Sequence, residues 1–309
     1  MTARADASQV AGLSRFFKTG PGQYGEGDQF LGIKVPVTRE VVRRCWRSVG
    51  FPELEECIAS EYHEVRLAAL LTLVEIFKHA PKLPEDAEWC LRSEDFFVRA
   101  KQDTRGQGLQ AGPGSKASRA DCVDFYLRHT DRINNWDLVD LSCYPLLGEW
   151  LLDKDRTLLY DMARNGRTLW EQRIGMVSTM TFIRHGQLDD TFAIADILLH
   201  HSHDLIHKAV GWLLREAGKR DQAALLAFLD APDPAVSDPA VSNPAVSAPS
   251  RPSLSPSPAP AARPSPSPSS RHTRPNRGSP RCATMPRTAL RYAIERLPEP
   301  LRQSYLLRK

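Results

Sequence analysis

The sequence predicts an all-α protein, an α-solenoid of degenerate helical repeats whose inner helices line a concave surface. Three observations predict it. Strand formers are thinly spread, and nearly every segment outside two low-complexity stretches has helical period. Three helices also share a local pattern, a basic residue followed by small and apolar positions: Arg66-Leu-Ala-Ala-Leu, Arg173-Ile-Gly-Met-Val and Lys208-Ala-Val-Gly-Trp. The last two basic residues stand 35 apart, within the period of helical-hairpin repeats. Such hairpins bury their apolar faces by stacking on their neighbours.

Taken in order, the elements bear this out as an expectation. The N-terminus, MTARADASQV, has no apolar core of the kind a secretory signal needs. FFKTGPGQYGEGDQF (16–30) is rich in Gly but lacks G-x-G-x-x-G and a terminal G-K-[ST], so it reads as an irregular connection. EVRLAALLTLVEIF (64–77) places Leu67, Leu70, Leu71, Val74 and Phe77 on one helical stripe. DTRGQGLQAGPGSKASRA (103–120), rich in Gly, Ser and Lys, reads as an insertion between helices.

NNWDLVD (134–140) opens the next helix, with Asn134 or Asn135 as its N-cap and an apolar stripe that runs to Leu152. Trp136 and Asp140 are four apart and therefore lie on one face. A carboxylate beside an indole is an unusual choice for a core face. Asp137, in the first turn, is accounted for as a charge complementing the helix dipole; Asp140, a full turn further in, is not. LWEQRIGMVSTMTFI (169–183) and HDLIHKAVGWLLREAGK (203–219) continue the helical period, with Gly186 and Asp189-Asp190 as stop and start signals between them.

In HHSHDLIH, His203 and His207 have metal-chelating spacing. No third ligand stands at a telling distance and no H-E-x-x-H is present, so the cluster reads as a polar turn between helices and no metal site is expected. The stretch 231–283 begins with three PAVS-x units and continues as Pro, Ser and Arg. Such a composition cannot bury enough apolar surface to offset ordering, and it predicts disorder with polyproline II tendency. Its flanks, LLAFLD and MPRTALRYAIERLP, look like neighbouring helices, which makes it an insertion rather than an interdomain linker. The expected organisation is a repeat domain over 1–230, a disordered insertion over 231–283, and C-terminal helices over 284–309 that complete the same domain.

Composition narrows the function. Nothing approaches the roughly 18 consecutive apolar residues of a membrane span. The six Cys, at 45, 57, 90, 122, 143 and 282, have no disulfide or zinc spacing and read as free thiols in a reducing, intracellular compartment: the cytoplasm of a prokaryote or the nucleus of a eukaryote. The net charge of +4 is not evidence for nucleic acid, because 231–283 holds six Arg and two Asp and accounts for all of it. No phosphate loop, G-x-S-x-G or Cys/His pair of recognisable spacing is present, so no nucleotide cofactor is expected.

Five segments in order carry a resemblance: FFKTGPGQYGEGDQFLGIKVP, DFYLRHTDRINNWDLVD, WEQRIGMV, HKAVGWLLREAGKRD and MPRTALRYAIERLPE. Together they resemble the AlkD family of DNA alkylation repair glycosylases, over the whole chain except the two insertions. The resemblance implies HEAT-like repeats with a concave DNA-binding face. It also implies a cleft Trp followed four residues later by a catalytic Asp, here Trp136 and Asp140. A second cleft Trp falls on Trp212, an Arg that contacts the DNA backbone on Arg173, and an N-terminal Tyr on Tyr24. Lys208 and Arg215 stand as helpers on phosphates. The implied activity is hydrolysis of the N-glycosidic bond of cationic N3- or N7-alkylpurines in duplex DNA, by a monomer without a cofactor. The alternatives are a non-catalytic DNA-binding solenoid and a protein scaffold whose Pro/Ser/Arg segment docks SH3- or WW-like partners.

Overall fold

The computed structural model describes residues 1–83, 117–237 and 278–308. The interiors of both expected insertions, 103–116 and 238–277, and Cys90 lie outside the described residues. Among the described residues the secondary structure is helical, with two isolated β-bridges and no strand. No helix there is long and apolar enough to cross a membrane.

The chain begins with α1 (Ala7–Phe16), passes through the Gly-rich segment, and continues as α2 (Val35–Cys45), α3 (Phe51–Ile58) and α4 (His63–His79). After residue 116 come α5 (Arg119–Arg128), α6 (Trp136–Cys143), α7 (Thr157–Asn165), α8 (Leu169–Val177), α9 (Thr179–Arg184) and α10 (Asp189–Leu198). The C-terminal part holds α11 (Asp204–Arg220), α12 (Gln222–Asp230), α13 (Pro234–Ser237), α14 (Arg281–Thr284), α15 (Arg287–Ala293) and α16 (Glu299–Leu307).

Four helices form a continuous row, α4 against α6, α6 against α8 and α8 against α11. Outer helices cover it: α2 and α3 pack on α4, α7 on α8, and α10, α12 and α15 on α11. This is the α-solenoid that the helical periods predict, one apolar core shared along a stack of helices. The small residues of the shared pattern have a packing reason. A Cβ at Gly175 would stand 2.7 Å from the carbonyl of Leu159, and one at Gly211 would stand 2.4 Å from that of Ala289. Glycine is therefore what lets α8 approach α7 and α11 approach α15.

Polar side chains set the helix starts. Asn135, of the two candidate asparagines, caps α6 by accepting from the Trp136 N–H at 2.9 Å. Ser118 and Asp121 form a capping box on α5, so the first expected insertion ends before Ser118 and not at residue 120. The second boundary also shifts inward. Within 231–283, Asp233 N–H donates to Ser279 O at 2.9 Å and Arg281 N–H to Ala231 O at 3.0 Å, pairing the two ends as an antiparallel bridge. Asp233 and Cys282 are both buried there, and Asp233 accepts from Thr284 and pairs with His200. Composition misses these anchors because pairing between residues almost 50 apart leaves no local signature.

Candidate active site

The inner row carries the candidates on successive helices: Trp136 and Asp140 on α6, Arg173 on α8 together with Trp170, and Lys208 and Trp212 on α11. Asp140 and Arg173 meet in a two-pronged ion pair. Arg173 Nε donates to Asp140 Oδ1 at 2.9 Å and Nη2 to Oδ2 at 2.8 Å, with the two side chains 6 % and 15 % exposed. Parallel charge-assisted bonds of this kind fix the plane of the carboxylate as well as its position. Burial raises the Asp140 carboxyl above the usual carboxylate range; Arg173 opposes that shift, and the neighbouring Asp137 adds to it. Arg173 Nη1 also donates to the Leu205 carbonyl, so two of its five N–H groups remain for a ligand.

An aromatic wall stands over this pair. Phe17 stacks on Trp136 with ring centroids 5.4 Å apart, and Phe16, 60 % exposed, meets Trp136 edge-on at 5.7 Å. Tyr24 lies beside the Trp136 indole, and its ring meets Trp170 edge-on at 5.9 Å. Burial raises the Tyr24 hydroxyl above its ordinary value, against the lowering effects of Trp136 and Lys208. Tyr24 thus brings the N-terminal Gly-rich segment beside Trp136 and Trp170.

The remaining candidates are placed differently. Lys208 is ion-paired with Asp204 at 2.8 Å and lies within electrostatic reach of Tyr24. Trp212 makes no ring contact with Trp136 among the described residues. It lines a separate cavity of about 440 Å³ with Met180, Ile183, Arg184, Lys219 and Arg220. Arg184, which lines this cavity, lies 4.6 Å over the ring of Tyr144. Arg215 is engaged by Glu295 and Glu216, which makes it a tie between α11 and the segment after α15.

The polar turn of histidines is used up internally. His203 caps α11, His201 pairs with Gln172 at 2.9 Å, and His200 and His207 bond Asp233 and the His201 carbonyl. No group of three His, Cys, Asp or Glu placed to hold a metal occurs among the described residues. Sequence reasoning missed Trp170, the Phe16–Phe17 pair and the buried partner of Asp137. Asp137 does sit in the first turn of α6, but it is 3 % exposed and bonded to His63 Nε2 at 2.8 Å, a buried partner that the dipole reading does not include.

The chain matches the family described as DNA alkylation repair enzyme over residues 1–297, and it belongs to that family. Among solved structures it is similar to a protein described as a predicted DNA alkylation repair enzyme from Enterococcus faecalis. That likeness has 14 % identity and a TM-score of 0.44, and covers 72 % of this chain and 87 % of that one. No curated protein matches the chain.

Proposed function

We propose that the protein is a monofunctional DNA glycosylase that releases cationic N3- or N7-alkylpurines from duplex DNA. The observation that carries this reading is the buried Asp140–Arg173 pair beneath an aromatic wall. An alkylated purine already bears positive charge, so when its glycosidic bond breaks the electron pair leaves with the base and the base departs neutral. No general acid is needed. The charge develops instead on the sugar, and a fixed carboxylate stabilises it. One Asp is then sufficient where ordinary glycosidases use a pair of carboxylates. Water adds to the sugar carbon and gives up a proton to Asp140, leaving an abasic site.

Arg173 keeps Asp140 ionised in a dry place and orients it; its two remaining N–H groups can meet a phosphate. Trp136 offers its π-face to a cationic sugar or base. Lys208 at one side, and Arg184 and Arg220 around the Trp212 cavity, supply backbone contacts that set register without reading sequence. The test is release of free base from methylated duplex DNA. Asp140→Asn keeps size and removes charge, and should slow release by roughly 10²–10³. Equal turnover by both proteins would sink the mechanism.

A further inference from the structure

A cluster of buried charges lies beside the site. His63, at the start of α4, has Nδ1 3.0 Å from Asp28 Oδ2 and Nε2 2.8 Å from Asp137 Oδ2, and all three side chains are at most 4 % exposed. The other Asp28 oxygen accepts from Arg66 Nη2 at 2.6 Å and from the Asn134 amide at 2.9 Å. Phe17 and Phe30 lie against the imidazole with ring centroids 4.7 and 4.9 Å away. Burial opposes a charge on the imidazole, yet the two carboxylates outweigh it and raise His63 to about 9. Asp28 is held below its ordinary value by His63 and Arg66, against its own burial. With both ring nitrogens donating, two carboxylates and two cations balance.

Three segments meet at this one ring: the Gly-rich segment through Asp28, α4 through His63, and α6 through Asp137. Phe17 is shared, since it packs on both His63 and Trp136. We propose that His63 is a positioning residue for the site: held between Asp28 and Asp137, its cation locks the segment carrying Tyr24 onto α6 and cancels the charge of Asp137 beside Asp140. This rests on the reading of Asp140 as the working carboxylate. A neutral hydrogen-bonding side chain could tie the same segments together without the cost of burying ions. What only a cation supplies is the neutralisation of Asp137, three residues and one turn before Asp140. Without it, two carboxylates would face each other in a region of low dielectric, and Asp140 would retain its proton to higher pH.

The groups that bear on Asp140 are Arg173 from α8, Asp137 from its own helix, and Tyr126 from α5 with Cys143, both of which burial keeps neutral. Those that bear on His63 are Asp28, Asp137 and, through Asp28, Arg66, which Arg132 in turn opposes. The experiment follows the carboxyl carbon of Asp140 by NMR titration of the full chain, assigned with Asp140→Asn, alongside the pH profile of base release. His63→Gln keeps an amide within reach of Asp137 and removes the charge; the Asp140 titration and the acid limb of the profile should both rise by about one pH unit. Asp137→Asn should move them the opposite way, and the double variant should return them towards the wild type. A merely structural tie predicts lower melting temperatures and an unmoved Asp140 titration, and that result would overturn the proposal. Because the titration is read without substrate, a shifted Asp140 in a protein that releases no base would separate failure of the glycosylase reading from failure of this one. Should His63→Gln not fold, the ring carbons of His63 followed by NMR titration of the wild type decide: an imidazole still charged at pH 7 is expected, and one already neutral there would overturn the proposal.

Discussion

Asp140 sets the pH range in which the site can work. Its carboxyl is raised by burial, so base release that needs the anion should fall away on acidification above the ordinary carboxylate value of about 4. A pH–rate profile with its acid limb at or below that value would contradict the geometry. His63 makes the opposite kind of prediction, on stability. Its folded value of about 9 lies above the ordinary imidazole value of 6.5, so its contribution is complete below the unfolded value and is lost as pH rises through the folded one. The difference corresponds to about 3 kcal/mol, which should appear as a falling melting temperature between about pH 7 and 10 that His63→Gln flattens. The two residues also mark what is legible in a sequence. Trp136 and Asp140 show themselves because helical spacing is local and a carboxylate on an apolar stripe breaks the pattern. His63 and Asp28 stand 35 residues apart, joined only by the tertiary fold, and Asp137 was assigned to the helix dipole because nothing local names its partner.

Helices carry their own tests at the glycines. Gly211 lets α11 press on α15, and Gly211→Ala would put a methyl 2.4 Å from the Ala289 carbonyl and 2.5 Å from the Tyr292 Cβ. That overpacking should cost about 1–3 kcal/mol, read by chemical denaturation. Gly12, exposed in α1 with nothing within 4 Å of a Cβ, should respond the other way, with Gly12→Ala gaining about 0.5–1 kcal/mol. After Asp140 the helix widens into a π-turn over Tyr144–Gly148, where Pro145 has no N–H to give and the Thr181 hydroxyl donates to the Tyr144 carbonyl at 2.7 Å. The sequence announced the apolar stripe through this stretch but not the widening, because a stripe records which face is buried and not which carbonyl each N–H meets. The widened turn carries Tyr144, whose ring lies under Arg184 at the edge of the Trp212 cavity.

Over the whole molecule, the glycosylase reading, with Arg184, Lys208 and Arg220 as contacts to the DNA backbone, predicts a strong salt dependence. Binding to undamaged duplex should weaken linearly in log–log form with added salt, at a slope of about −0.9 for each phosphate neutralised. Removing Arg184 and Arg220 together should lower that slope by about two contacts while the melting temperature holds, since both side chains are exposed. An unchanged slope would mean the backbone runs elsewhere. A different consequence follows from the bridge between Pro232 and Pro280. It pairs the two flanks of 238–277, so the described ends on either side of that segment are already held together, like the two mouths of a cassette port. Exchanging 238–277 for a few glycines and serines, or for a foreign folded domain with adjacent termini, should leave the melting temperature and base release near those of the parent, because each doubling of such a tether costs only about 0.6 kcal/mol. Cutting back further, through Asp233 or Cys282, should unseat α14 and be felt at once as lost stability, since both side chains are buried in the hinge of that port.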